Sequence, residues 1–91
     1  IILKQNYPNP FNPTTTLEFS LPETRIITLK IYNSIGQEVA TLFTGSKPAG
    51  NHMVQFDGSQ LSSGTYYVRL TTTSKQDGSV ETLSQKIILV K

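Results

Sequence analysis

The chain has 91 residues, 36% of them hydrophobic and 15% charged, which is enough for one modest core without staples. Cysteine is absent, so there is no disulfide framework; this fits a reducing compartment and equally a secreted domain that has no need of bridges. The net charge is +2, and Lys4, Arg25, Lys30, Lys47, Arg69, Lys75, Lys86 and Lys91 are scattered rather than gathered into the stripe that nucleic acid requires.

Residues 1–5 open the chain as a short apolar run and a first strand. Asn6 to Pro13 follows, with three prolines, three asparagines and two aromatics in eight residues. Each proline lacks a backbone donor and has φ fixed near about −65°, and each residue before a proline is pushed toward extended geometry. Such a segment is neither helix nor central strand. Tyr7 and Phe11 make it too apolar for a plain linker, so it reads as a stiff loop pinned by its rings, with Asx-turns from its asparagines. Thr14–Leu21 alternates, with Leu17, Phe19 and Leu21 on one face, the mark of a half-buried strand. Arg25–Asn33 is the next strand, with Ile27, Leu29 and Ile31 inward and Ile26 and Tyr32 outward. Ser34-Ile35-Gly36 is a tight turn whose glycine supplies positive φ. A fourth strand over 37–44 carries Val39, Leu42 and Phe43; its alternation slips between Val39 and Leu42, which predicts a bulge. Gly45–Gly50 reads as a loop. Strands over 51–57, 65–74 and 80–90 complete the chain, the last two joined by a hairpin through Asp77-Gly78.

The pattern is about seven strands with turn signals roughly every 8–12 residues and no helix period, which predicts an all-β, immunoglobulin- or fibronectin-III-like sandwich. Ser63-Gly64-Thr65-Tyr66-Tyr67-Val68 matches the tyrosine corner of such folds, with Val68 in the place of a cysteine. The short turn at Ser34–Gly36 makes strands three and four neighbours and favours three strands facing four. No apolar run approaches the ~20 residues of a membrane span. Ile1-Ile2-Leu3-Lys4 lacks the form of a signal peptide. An exported chain would carry its leader outside this sequence, so the sequence is expected to be a piece of a longer protein.

Chemistry is sparse. His52, Asp57 and Ser59 are the one set resembling a hydrolytic triad, but they lie in one strand and its following turn, whereas a triad converges from separated elements. His52 reads better as a partly buried strand residue and Asp57 as a turn-former. With one histidine, no cysteine, and Asp57 and Asp77 in separate turns, no metal site and no cofactor are expected. Carbohydrate binding or cell attachment is the alternative function. Tyr32 and Tyr67 face outward, as stacking platforms or as a simple cross-strand pair, and Tyr7 is a further candidate.

Asn6-Tyr7-Pro8-Asn9-Pro10-Phe11-Asn12-Pro13-Thr14-Thr15, followed by Leu17-Glu18-Phe19-Ser20-Leu21-Pro22, resembles the opening of the C-terminal sorting domain of the type IX secretion system. Leu29-Lys30-Ile31-Tyr32-Asn33, Gly36-Gln37-Glu38-Val39, Ala49-Gly50-Asn51-His52, Phe56-Asp57-Gly58, Leu61-Ser62-Ser63-Gly64-Thr65-Tyr66 and Lys86-Ile87-Ile88-Leu89-Val90-Lys91 resemble its later motifs in order. The resemblance covers nearly the whole chain, and Phe56 stands where many members have tryptophan. It implies a non-enzymatic tag spanning 1–91 behind an N-terminal cargo domain. The cargo would pass through the periplasm and across the outer membrane by a translocon, to be secreted or held at the cell surface after cleavage by a sortase-like cysteine protease. The expected recognition residues are Asn9, Pro10, Phe11, Asn12 and Pro13 together with Ile87, Leu89 and Lys91. Gly36, Gly50, Gly64 and Tyr66 are the expected structural motif residues.

Overall fold

The computed structural model describes residues 1–91. The chain forms β1 (Ile2–Leu3), β2 (Thr14–Leu21), β3 (Arg25–Asn33), β4 (Glu38–Lys47), β5 (Gly50–Asp57), β6 (Gly64–Ser74) and β7 (Val80–Leu89), with no helix. One sheet has the order β1-β2-β5 and the other β4-β3-β6-β7, all neighbours antiparallel. The division of three strands against four is the one expected from the Ser34–Gly36 turn.

Period-two alternation carries the core. Leu17, Phe19 and Leu21 from β2 and Phe56 from β5 meet Ile27, Leu29 and Ile31 from β3, Tyr66, Val68 and Leu70 from β6, and Ile87 and Leu89 from β7. Each fully buried aliphatic or aromatic side chain of this kind stabilises by about 1.5–3 kcal/mol. The inner face is not uniform along its length. Arg25, Thr72 and Ser74 are buried at one end of it, where Arg25 lies opposite Ser74 and Ile27 opposite Thr72.

Five strands differ from the sequence-based expectation at one end or both, β7 by stopping at Leu89 rather than Val90. β1 is only two residues long, because the chain turns away at Asn6 to make other contacts. β4 runs on through Gly45, Ser46 and Lys47, expected as loop, because β3 begins at Arg25 and pairs these residues with Ile27, Ile26 and Arg25. β5 and β6 each start one residue early, at Gly50 and Gly64. The predicted irregularity in β4 is present: Leu29 faces Phe43 while Lys30 faces Thr41, and Ile31 faces Ala40 while Tyr32 faces Glu38, leaving Leu42 and Val39 as extra residues.

The registers define two poles on a body 42 Å long. Ile2 lies opposite Ser20, and the connections at residues 22–24, 48–49 and 75–79 share that near pole. The turn at 34–37, the loop at 58–63 and the end of β7 share the far pole. At the near-pole hairpin, Ser79 N–H donates to Asp77 Oδ1 at 2.9 Å, and this bond holds the Asp77 carboxyl below its usual value. Bonds from the Lys30 ammonium and the Thr41 hydroxyl hold Glu38 low in the same way. A carboxyl lowered in the folded state contributes stability above its unfolded value and loses it as pH falls through the folded one. Acid titration is therefore expected to show a declining melting temperature below the ordinary carboxylate range, with a shallower decline in Asp77→Asn; equal slopes would contradict this.

Candidate functional site

The proline-rich segment changes sheets. Near its start, Tyr7 exchanges backbone bonds with Thr16, donating at 3.2 Å and accepting at 2.9 Å, so it belongs to the sheet of β2. Asn6 is buried and holds the bend: its Nδ2 donates to Pro8 O at 3.2 Å and to Thr15 Oγ1 at 3.0 Å. Thr15 Oγ1 donates in turn to Pro8 O at 2.9 Å. The peptide bonds before Pro8, Pro10 and Pro13 are cis. The segment then crosses to the other sheet. Phe11 N–H donates to Ile88 O at 2.9 Å, and Val90 N–H donates to Phe11 O at 3.0 Å, a parallel bridge at Leu89. Ile88 N–H donates to Asn9 Oδ1 at 3.0 Å. Backbone groups on the free edge of β7 that water or another chain would otherwise bind are thereby satisfied.

The Phe11 ring explains why the crossing is fixed. It is 1% exposed and sits 5.9 Å from the Phe56 ring at a tilt of 59°. Gly58 makes room for it: a Cβ there would lie 3.1 Å from Leu89 Cδ2 and 3.3 Å from Phe11 Cε2. Gly58 N–H also donates to Pro13 O at 2.8 Å. Gly58→Val is expected to cost about 1–3 kcal/mol through overpacking, read as a lower urea midpoint with unchanged slope; no shift would refute the close packing.

The rest of the far pole closes around this tie. Tyr66 Oη donates to Ser62 O at 2.7 Å, the tyrosine corner expected from the sequence. Tyr66→Phe is expected to lower stability by about 0.5–1.5 kcal/mol, measured by urea unfolding, and an unchanged midpoint would remove that bond from the account. Lys91 N–H donates to Ser63 Oγ at 3.0 Å, and its ammonium donates to Ser59 O at 2.6 Å. Gly36 has φ of 87°, a left-handed turn position that suits glycine.

The expected recognition residues therefore converge on one pole, but not all of them reach its surface. Asn9, Pro10, Asn12, Pro13 and Lys91 are exposed. Phe11, Ile87 and Leu89 are at most 1% exposed. Their side chains are core, because alternation in β7 turns 87 and 89 inward and Phe11 fills the space above Gly58; only the backbone of this strip reaches the edge. Gly36 and Gly64 lie at the far pole, whereas Gly50 lies at the near pole opposite Leu21. Sequence reasoning did not assign Gly58, Ser59 and Ser63 to this end, and it read Asn6 as one of the loop's bonding asparagines but not as its buried brace. For Asn6, the cue was an asparagine two residues before a proline, able to reach its carbonyl.

The triad candidates are otherwise engaged. His52 Nε2 is 2.8 Å from Pro48 O, and its ring lies 5.4 Å from that of Phe19. Asp57 accepts a bond from Ser59 N–H at 2.9 Å, closing an Asx-turn. No group of three or more His, Asp or Glu side chains is placed to hold a metal. Tyr32 and Tyr67 face each other across β3 and β6, and the Arg69 guanidinium covers the Tyr32 ring at 4.4 Å. That ring is already occupied.

A search of curated proteins and a search of solved structures found no match. The family described as "Secretion system C-terminal sorting domain" matches residues 5–89, from just before the proline-rich segment to the last residue of β7. The two segments tied together at the far pole are thus the two ends of the matched region, and the chain belongs to this family of type IX secretion sorting domains.

Proposed function

We propose that the far pole is the surface through which the type IX machinery recognises this domain, as Asn9, Pro10, Asn12, Pro13 and Lys91 over the backbone of 88–90. The observation that carries this reading is the pairing of Phe11 with Ile88 and Val90, which joins the proline-rich segment and the end of β7 into one rigid strip. A strip already braced by proline and by backbone bonds loses little entropy on docking. The chain enters at the near pole, at Ile2 beside Ser20. A cargo domain attached before Ile1 would stand at the other end of the 42 Å body and leave the far pole clear.

In this reading the cargo reaches the periplasm with its own leader, and the outer-membrane translocon binds the folded domain and passes the cargo outward. A sortase-like cysteine protease then cuts near or before Ile1, and the cargo is secreted or attached at the cell surface. The domain itself has a delivery role and no catalytic one.

The test is a signal-peptide-bearing reporter fused ahead of residues 1–91 in a host that possesses the system. Asn12→Lys combined with Lys91→Glu changes exposed side chains, removing only the surface bond from Lys91 to Ser59 O, and is expected to cut surface delivery at least tenfold while melting falls by no more than a few degrees. Full delivery by this variant would sink the assignment of the far pole. Retention of uncleaved reporter at the surface would sink the cleavage step alone.

A further inference from the structure

Four strand edges could receive another chain, and three are blocked. The far end of β7 is held by Asn9 and Phe11, and Gln85 is tied to Gln5 by a 2.7 Å bond. The outer edge of β2 is covered by β1, Lys4 and Tyr7. β4 carries two bulges, with Glu38 and Lys47 at its ends. These are the devices that keep edges from pairing: short strands, bulges, charge and covering loops. β5 has none of them. Its eight residues run in unbroken register with β2, with no proline and no charge from Gly50 to Phe56.

The backbone directions on this edge follow from Thr16. Thr16 spends both its N–H and its C=O on Tyr7. The bonds from β2 to β5 therefore come from the alternate residues Thr15, Leu17, Phe19 and Leu21, which face Phe56, Val54, His52 and Gly50. Asn51, Met53 and Gln55 are left with N–H and C=O aimed away from the sheet. Their side chains are exposed, Met53 at 64%, and the Tyr7 hydroxyl touches Met53 Sδ at 4.0 Å with Tyr7 itself 49% exposed.

We propose that β5 pairs with the β5 of a second copy of this chain, antiparallel about a two-fold axis through Met53. The edge is self-complementary in that register. Met53 faces Met53, and the Asn51 amide of one protomer faces the Gln55 amide of its partner, each able to donate and accept. No like charges meet along the paired edge: the one carboxylate of β5, Asp57, lies beyond the paired segment, and Glu18, opposite Met53 on β2, is neutralised by Lys4 at 2.9 Å. Each facing pair exchanges two backbone bonds, and the Tyr7–Met53 contacts of both copies join into one apolar stripe over a six-stranded sheet. The surface involved is smaller than the ~1,600 Å² of a standard stable interface, so association depends on concentration. The proposal rests on β5 and the neighbouring Tyr7 and does not depend on the sorting role.

The test is sedimentation velocity of residues 1–91 from micromolar to millimolar concentration. The weight-average mass is expected to rise toward twice the monomer value. Met53→Lys, which places two ammonium groups on the axis, is expected to keep the mass monomeric with unchanged melting. Directly facing residues have Cα atoms about 5.5 Å apart, within disulfide reach. In this cysteine-free chain, Met53→Cys is therefore expected to oxidise to a covalent dimer at least tenfold faster than the exposed near-pole control Thr24→Cys. A mass that stays monomeric to millimolar concentration overturns the proposal. So does a dimer that Met53→Lys leaves intact, or Met53→Cys oxidation no faster than the control.

Discussion

Phe11→Ala is expected to leave the chain barely folded. The ring is 1% exposed among Phe56, Gly58 and Leu89, so its removal deletes a full aromatic contact and opens a cavity that a rigid proline-braced strip cannot collapse to fill. Phenylalanine-to-alanine changes of this kind cost about 3–5 kcal/mol, against a total stability of about 5–15 kcal/mol for a domain. At about 4–8 °C per kcal/mol for a domain of this size, melting falls by at least about 12 °C. Hydrogen exchange should show where the damage starts: the amides of Ile88 and Val90, which bond to Asn9 and to Phe11, lose protection before those of β3 and β6. A loss under about 1 kcal/mol would mean that Phe11 is not the anchor of the far pole. The expected destabilisation bears on delivery experiments, because a Phe11 variant that fails to export would have failed first to fold.

Arg25→Ala is expected to have the second largest effect, at the opposite pole. The Arg25 side chain is 8% exposed; Nη1 donates to Thr72 Oγ1 at 3.1 Å and to Glu81 at 3.4 Å, and Nη2 donates to Glu23 at 3.2 Å. Ser74 Oγ donates to the other oxygen of Glu23 at 3.1 Å, so one cation ties the β2–β3 turn to the β6–β7 hairpin. Removing one member of a buried ion pair costs about 3–5 kcal/mol. Glu23 and Glu81 are 30% and 50% exposed, however, and can regain water. The expected loss is therefore about 2–3 kcal/mol, below the range for a fully buried pair. Arg25→Met keeps the aliphatic stem over the core and is expected to recover about 1 kcal/mol of this. Urea unfolding of both variants separates packing from charge. Equal losses in the two would assign the effect to the ion network, and a loss in neither would show that the network has no net worth.

These residues mark how far the sequence could be read. Alternation is local: Leu17, Phe19 and Leu21, or Tyr66, Val68 and Leu70, declare a strand and its inner face without reference to anything distant. The tyrosine corner was legible for the same reason, since Tyr66 reaches only to Ser62. The slip between Val39 and Leu42 announced the bulges because a broken period is visible within a few residues. Arg25 was not legible as a core residue: a basic side chain at a strand start ordinarily faces water, and only the opposed Thr72 and Ser74 with two carboxylates make its burial tolerable.

The candidate site divides in the same way. The proline-rich segment and the terminal strand stood out by composition and by resemblance, and the fold brings the two together. That Phe11, Ile87 and Leu89 are core while Asn9, Pro10, Asn12, Pro13 and Lys91 form the surface was not. Sequence by itself determined an all-strand chain, its inward faces, most of its turns and its family, but not that Gly45, Ser46 and Lys47 continue β4. Tertiary structure decided that the first segment crosses from one sheet to the other, that this crossing seals the end of β7, and that β5 keeps an open edge. The physical reason is the range of the interactions: side-chain period and turn chemistry act between near neighbours, whereas edge satisfaction and the burial of a loop ring exist only once distant segments have met.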